Sequence, residues 1–460
     1  MRILSAFLLA CALAAAPPRT LRLDYVHSGD AKTETFAMAR VVEEPLPWPG
    51  NPDRTVDDSN LGKYKAEVRG ADDKLLYSRG FASIFGEWQD TAEATKLQRA
   101  FEESVRFPEP AVPVTVHLFR RQADMGWKEV WSCPVDPKAQ SIERGAPPSA
   151  GAIIPILKNG DPAHKVDFLI LGDGYTAKER AKFIKDAKRL SATLFSYEPY
   201  RSHKADFNVW ALCPVSKESG ISRPSTNIHR RSALGCSYDA FGSERYVLTT
   251  DNRAFRDTAS QAPYDFVEIL VNGRTYGGGG IHQLYGTVAS DNAFSPYVFV
   301  HEFGHHIAGL ADEYYTSDAI LEQGKPRIEP WEPNVTADPQ HSKWAELIAP
   351  GTALPTPWKK AEFETYSYNI QKERHAIRAA NKPEADMEAL FTRERAHETE
   401  LLGTDANSGV VGAFEGANYE ATGYYRSQED CIMFTRDLHA GFCAACRKAI
   451  SNVIKEYTAK

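Results

Sequence analysis

Three residues within about one helical turn carry the clearest chemistry in this chain. They are His301, Glu302 and His305, in the run Val300-His301-Glu302-Phe303-Gly304-His305-His306-Ile307-Ala308-Gly309-Leu310-Ala311-Asp312-Glu313-Tyr314-Tyr315. Val300, Phe303, Gly304 and Ile307 recur at helical spacing and can pack inward. A four-residue step rotates a helix by about 400°, so the two imidazoles leave one face about one turn apart. That placement suits two ligands of a single zinc ion. Glu302 then flanks the ion and can carry a proton from an attacking water to a leaving amine. With 13 His among 460 residues, chance would produce this spacing about 0.02 times.

Zinc catalysis needs a third protein ligand and an open fourth position. Gly309 can end the helix in a left-handed turn that sends the chain back toward the ion. The metzincin pattern sets the third ligand three residues after such a glycine, and by that resemblance Asp312 is the favoured third ligand. Glu313 and a distal carboxylate such as Glu322 remain alternatives, and Asp312 can also be read as a plain turn residue. By resemblance to metzincins, which place a methionine in a turn beneath the zinc, Met433 in Cys431-Ile432-Met433-Phe434 is a candidate packing floor for the histidines, although a lone Met is more often ordinary core. Tyr424 or Tyr425 could polarise a carbonyl or simply form an aromatic core pair. Gly277-Gly278-Gly279-Gly280 precedes an expected strand through Ala289. It reads either as a close-approach site for an extended substrate backbone beside the zinc helix or as a flexible turn. No Lys-Ser/Thr follows it, which argues against a nucleotide loop.

The elements that must hold these residues follow from periodicity. Leu21–Val26, Tyr64–Val68, Leu75–Tyr77, Val114–Phe119 and Glu129–Trp131 read as short strands of a β-sandwich, with one helix expected around Thr91–Val105. Gly145–Gly151 reads as a linker. Val166–Leu171 is a buried-strand pattern. Thr176–Glu179 is a capping box before a helix that buries Phe183, Ile184, Ala187, Leu190 and Leu194. Phe207–Leu212 and Phe266–Val271 are further strands, which implies an α/β domain with a mixed sheet. Lys359–Leu402, dense in Lys, Arg, Glu and Ala and split by Asn381-Lys382-Pro383, reads as an inserted helical hairpin. A solvated appendage is the expectation and substrate gating the alternative.

Composition bounds the function. The chain has 54 Lys+Arg against 61 Asp+Glu, a net charge of −7, so no basic excess exists to neutralise nucleic-acid phosphates or anionic lipid. Ile3–Ala16 is the one long apolar run, too short to span a bilayer. It reads as an export signal with cleavage near Ala12-Leu13-Ala14. Leu8-Leu9-Ala10-Cys11 offers the alternative of a lipid anchor at Cys11. A secreted or periplasmic protein, or else a surface lipoprotein, is expected. Six cysteines remain beyond Cys11. Cys213 with Cys236, and Cys431 with Cys443 or Cys446, are plausible disulfides. Cys443-Ala444-Ala445-Cys446 also has metal-ligand spacing, with Cys431 and His439 as conceivable partners, but disulfide or packing use is the default reading.

Taken together these stretches resemble the IgA-peptidase family of metzincin-like zinc metallopeptidases. The resemblance rests on the His-Glu-Phe-Gly-His run through Tyr315. It extends to Leu171-Gly172-Asp173-Gly174-Tyr175-Thr176, Ser216-Lys217-Glu218-Ser219-Gly220, Asn334-Val335-Thr336, Phe414-Glu415-Gly416-Ala417-Asn418-Tyr419, Tyr425-Arg426, Cys431-Ile432-Met433 and Phe442-Cys443…Cys446. It implies a zinc peptidase acting on protein or peptide, with His301 and His305 as metal ligands and Glu302 as catalytic base. Asp312 departs by one residue from the commoner metzincin spacing, because Ala308 rather than Gly309 stands three residues after His305. The expected organisation is an export signal over 1–16, an all-β sandwich over 19–140 and a linker over 141–160. An α/β zincin domain over 161–460 then carries the insertion 359–402. Two other functions fit the same features: a binding or scaffold protein with a vestigial zinc domain, and a zinc hydrolase of another amide such as a cell-wall peptide.

Overall fold

The computed structural model describes residues 17–316 and 327–458. The segment read as an export signal, the anchor candidate Cys11 and the carboxylate Glu322 lie outside the described residues.

The N-terminal part contains β1 (Arg19–Gly29), β2 (Glu34–Pro47), β3 (Tyr64–Gly70), β4 (Leu75–Phe81), α1 (Ile84–Gln89), β5 (Arg99–Pro108), β6 (Val114–Arg121) and β7 (Trp127–Val135). Two antiparallel sheets form, ordered β2-β1-β5 and β4-β3-β6-β7. Leu21, Leu23 and Phe107 from one and Ala66, Val68, Val116 and Leu118 from the other share a single core, as two stacked sheets require. The helix expected over Thr91–Val105 is not there. Residues 99–108 are a strand paired with β1 along its length. The inward series Phe101, Glu103, Val105 and Phe107 contains a buried carboxylate that accepts from the Phe85 N–H at 2.8 Å, and that polar member hides the period of two. The helix is α1, earlier in the chain, capped by Ser83.

The rest of the chain is α/β. Its elements are β8 (Ile154–Leu157), β9 (Val166–Asp173), α2 (Arg180–Leu194), β10 (Phe207–Leu212), α3 (Asn252–Ala259), β11 (Phe266–Val271), β12 (Gly278–Ile281), β13 (Tyr285–Ala289) and α4 (Ser295–Ala308). Then come β14 (Val335–Thr336), α5 (Lys360–Ala379), α6 (Glu384–Gly403), β15 (Phe414–Ala417), β16 (Glu420–Arg426) and α7 (Ala444–Thr458). The central sheet runs β12-β13-β11-β9-β10-β8. Its four inner strands are parallel, and β12 and β8 are antiparallel edges. β8 lies within the stretch read as linker, so pairing to this sheet starts at Ile154 rather than after residue 160.

Alternation along the inner strands separates two cores. Phe168, Ile170, Val209 and Leu270 face α2, α4 and α7, while Leu169, Leu171, Leu212 and Ile269 face α3 and, from the sandwich, Phe85 and Trp88 of α1. The two halves therefore share a core. Arg22 to Asp257 at 2.6 Å, and Arg106 to the Tyr264 carbonyl at 3.1 Å, clasp the same junction. Cys213 belongs to the first core and Cys236 to the second, on opposite sides of the sheet. The plausible bond between them is absent, and the six described cysteines are free and buried.

The Gly-Asp-Gly-Tyr turn holds loops together. Asp173 accepts from the Leu234 and Cys236 N–H groups, each at 2.9 Å. Gly174, at φ 74°, passes so close to Gly220 that a Cβ there would lie 2.7 Å from its carbonyl oxygen. Thr176 and Glu179 form the expected capping box, on a short 3-10 turn that leads into α2. The charged stretch 359–402 is indeed a helical hairpin, α5 and α6, but not a solvated appendage. Phe363, Ile370, Met387, Leu390 and Phe391 are buried in the main core. The charges dominate its composition, whereas its apolar residues recur at helical spacing on one covered face. No helix among the described residues is long and apolar enough to cross a membrane.

Candidate metal centre

Helix α4 buries Val300, Phe303, Gly304 and Ile307 as its spacing requires. It ends at Gly309, whose φ of 58° is left-handed, and the chain doubles back. A side chain at Gly309 would meet Trp331 at 2.5 Å. The return places Asp312 against the helix. The Nε2 atoms of His301 and His305 are 3.1 Å apart, and Asp312 Oδ1 lies 3.0 Å from the first and 3.3 Å from the second. A tetrahedral zinc ion with bonds of about 2.0–2.1 Å spaces its ligand atoms by about 3.3 Å. The three atoms thus stand as donors around one point, and Oδ1 is buried without a well-aligned hydrogen bond.

Backbone carbonyls fix both rings. His301 Nδ1 lies 3.0 Å from the Ile432 oxygen, and His305 Nδ1 faces the Leu310 oxygen. A carbonyl only accepts, so each Nδ1 carries a proton and Nε2 is the nitrogen left to bind a metal. The Tyr419 hydroxyl donates to Asp312 Oδ2, and Asn334 bonds both the N–H and the carbonyl of Ala311. Met433 is fully buried, its sulfur 3.3 Å from where a Cβ on Gly304 would stand. It therefore packs against α4 at Gly304, one residue before His305.

Electrostatics favour a cation here. Burial opposes a charged Asp312, but His305 and His301 outweigh it and hold the carboxyl well below its usual range. Burial likewise opposes a charge on His305, yet Asp312 and Glu302 hold the imidazole up to about 9. The carboxylates thus draw positive charge to this point, and a dication can take the place of that proton. Glu302 stays partly accessible in the cleft, with its carboxyl within 4.8 Å of the imidazole donor atoms. Burial raises it above its ordinary value against the pull of the two histidines.

The alternatives sort themselves by direction. Glu313 is turned away from the imidazoles and bonds Asn334 Nδ2 at 3.0 Å. His306 leaves the helix on another side, accepting from the Val267 N–H at 2.9 Å and facing the Ile281 carbonyl at 3.0 Å. It ties α4 to the sheet. Tyr424 donates to the Ile328 carbonyl, and neither it nor Tyr425 lines the cleft. The phenols that do are Tyr246, Tyr276, Tyr297, Tyr314 and Tyr419, and of these Tyr314 accepts from Arg245 Nη2 at 2.9 Å. Spacing along the chain gave no signal for Arg245 or Tyr419. The Asn-Tyr of the Phe414–Tyr419 run was the one hint for the latter.

The family profile described as IgA Peptidase M64 matches residues 154–454, more than half of the chain, and that of the Peptidase M64 N-terminus matches 14–132. The chain belongs to the M64 family of IgA peptidases. Comparison with curated proteins returns no match. Stretches that carried the resemblance, Asn334–Thr336, Phe414–Tyr419 and Cys431–Met433, all touch the return loop or the histidine tethers of this M64 chain.

The cleft of the M64 chain measures about 560 Å³. Glu87 and Asp90 from the sandwich line one side, and Ser367, Arg374, Glu394 and Glu398 from the helical hairpin line another. The glycine run is itself edge strand β12 rather than a turn before a strand. A Cβ on Gly280 would stand 2.4 Å from the Glu302 carbonyl oxygen and 2.9 Å from His305 Cβ, so glycine lets the edge lie directly on α4. Along that edge, Gly278 is bonded by the Arg245 carbonyl and the Val247 N–H, and the His282 carbonyl receives Ala82 N–H. Gly280, between these positions, faces the cleft. Replacement Gly280→Ala is expected to lower kcat/KM about 10- to 100-fold by displacing Glu302 and His305, and to lower Tm. Gly145→Ala, where nothing lies within 4 Å, is the control. Equal kinetics and Tm in both variants would show that the edge strand does not set the site.

Proposed function

We propose that this chain is an exported, zinc-dependent endopeptidase with a metzincin-like catalytic domain. The observation that carries the reading is the convergence of His301 Nε2, His305 Nε2 and Asp312 Oδ1 within 3.0–3.3 Å of one another, beside an accessible Glu302. Those three residues would hold the ion. When bound, zinc supplies an electrophile for the peptide carbonyl and makes water a better acid. Glu302 takes the proton as the water oxygen bonds to the carbonyl carbon, and returns it to the amine as the C–N bond breaks. Gly280 on β12 offers its backbone to an extended substrate. Met433, the Ile432 carbonyl and Tyr419 hold the donor set in place. The apolar N-terminal segment supports export.

The test is a digest of a broad peptide library by the purified chain, by the chain treated with a chelator, and by the chelated chain given back zinc. Cleavage lost on chelation and restored by zinc is the expected result. Cleavage indifferent to chelator would overturn the metal mechanism. No cleavage of peptides or casein, with hydrolysis of peptidoglycan instead, would move the substrate to another amide.

A further inference from the structure

One residue beyond Asp312 the chain sends a carboxylate into a second cluster. Glu313, Cys431, Cys443 and Cys446 bring four donor atoms within 4.8 Å of one another. Three segments supply them: the loop after α4, the turn that carries Met433, and the start of α7. Cys431 Sγ and Cys446 Sγ are 3.9 Å apart, and the sulfurs of Cys443 and Cys446 each lie 3.4 Å from Glu313 Oε1. All four residues are buried, Glu313 at 0% exposure. We propose that they form a second, structural zinc site, independent of the catalytic one.

Geometry, donor type and unmet polarity agree. A tetrahedral zinc with Zn–S of about 2.3 Å and Zn–O of about 2.0 Å has S–S edges of about 3.8 Å and S–O edges of about 3.5 Å. Cys443 and Cys446 have the two-residue separation common in such sites. Backbone N–H groups point at the sulfurs: Cys443 and Met433 at Cys431 Sγ, 3.2 and 3.4 Å, and Cys446 at Cys443 Sγ, 3.5 Å. Donors so placed favour thiolates over thiols. Glu313 Oε2 is buried with no hydrogen-bond partner, a costly arrangement for a carboxylate without a cation. The nearby Arg426 guanidinium spends its N–H groups on the Gly416 and Glu429 carbonyls, at 2.6 and 2.9 Å. A disulfide would use two sulfurs and leave the third and the carboxylate without a role.

Such an ion would brace the first centre. Glu313 adjoins Asp312, and its N–H bonds the Met433 carbonyl at 2.8 Å. Cys431 adjoins Ile432, whose carbonyl holds His301. Zinc here would cross-link the return loop to the turn beneath the helix, through residues that never face substrate.

The experiment is metal counting on the full chain, with His301→Ala/His305→Ala as the variant that removes the catalytic site. Two zinc ions per wild-type chain and one in the double variant are expected. Cobalt in the double variant should show thiolate-to-cobalt charge transfer. Zinc-edge X-ray absorption on the wild-type chain needs no variant and should show sulfur at about 2.3 Å. A wild-type spectrum with nitrogen and oxygen neighbours alone, or a disulfide among Cys431, Cys443 and Cys446 in the native protein, would overturn the proposal.

Discussion

Glu302→Gln is expected to bind metal as the wild type does and to lose catalysis by about 10³-fold or more. The substitution keeps the shape of the side chain that passes over Gly278, where a Cβ would stand 3.2 Å from Glu302 Cγ. It leaves His301, His305 and Asp312 untouched. What disappears is the proton acceptor. An amide cannot take a proton from water, and it cannot deliver one to the departing amine. Burial lifts the Glu302 carboxyl above its ordinary value while the two histidines pull it down, so the residue is a stronger base than an exposed glutamate. Steady-state kinetics on a cleaved peptide, with zinc content measured on the same preparation, reads both halves of the expectation. Full activity in a metal-replete Glu302→Gln chain would remove Glu302 from the reaction. Lost metal would make it a ligand instead.

Asp312→Ala should weaken zinc at the histidine pair by at least about 100-fold and abolish hydrolysis under limiting metal. Oδ1 is the third atom around the point defined by the two Nε2 atoms, and Oδ2 is held by the Tyr419 hydroxyl. Alanine removes both the donor and the charge that draws a cation to the imidazoles. Competition against a chromophoric chelator gives the affinity. The variant should regain part of its activity when zinc is raised, because His301, His305 and Glu302 remain in place. Unchanged affinity would move the third ligand elsewhere. Tyr419, whose hydroxyl acts through Asp312, is a positioning residue in this scheme.

Much of the centre was legible along the chain. His301, Glu302 and His305 sit on one helix, where 3.6 residues per turn dictates which side chains share a face. Gly309 and Asp312 follow within the same segment, and a left-handed glycine predicts the reversal. Strands at 166–171, 207–212 and 266–271 were legible because mostly apolar runs announce burial on both faces, even with Asp167, Asn208 and Glu268 among them. The reading failed where a buried polar residue masks the alternation of a strand. Glu103 in β5 answers Phe85, so a strand looked helical. The charged hairpin was judged by composition, while its contacts with the core are made by a minority of its residues.

The sequence by itself determined the chemistry: a two-histidine pair, a carboxylate beside it and a return to Asp312, because all of these are local and helical geometry converts spacing into direction. Tertiary structure decided what surrounds them. Only the fold brings Tyr419 to Asp312, the Ile432 carbonyl to His301, Met433 beneath Gly304, and β12 across Glu302. Only the fold points Glu313 away from the histidines and toward three cysteines more than a hundred residues downstream. Neighbours in sequence can face opposite ways, and which way each one faces depends on what the rest of the chain packs against it.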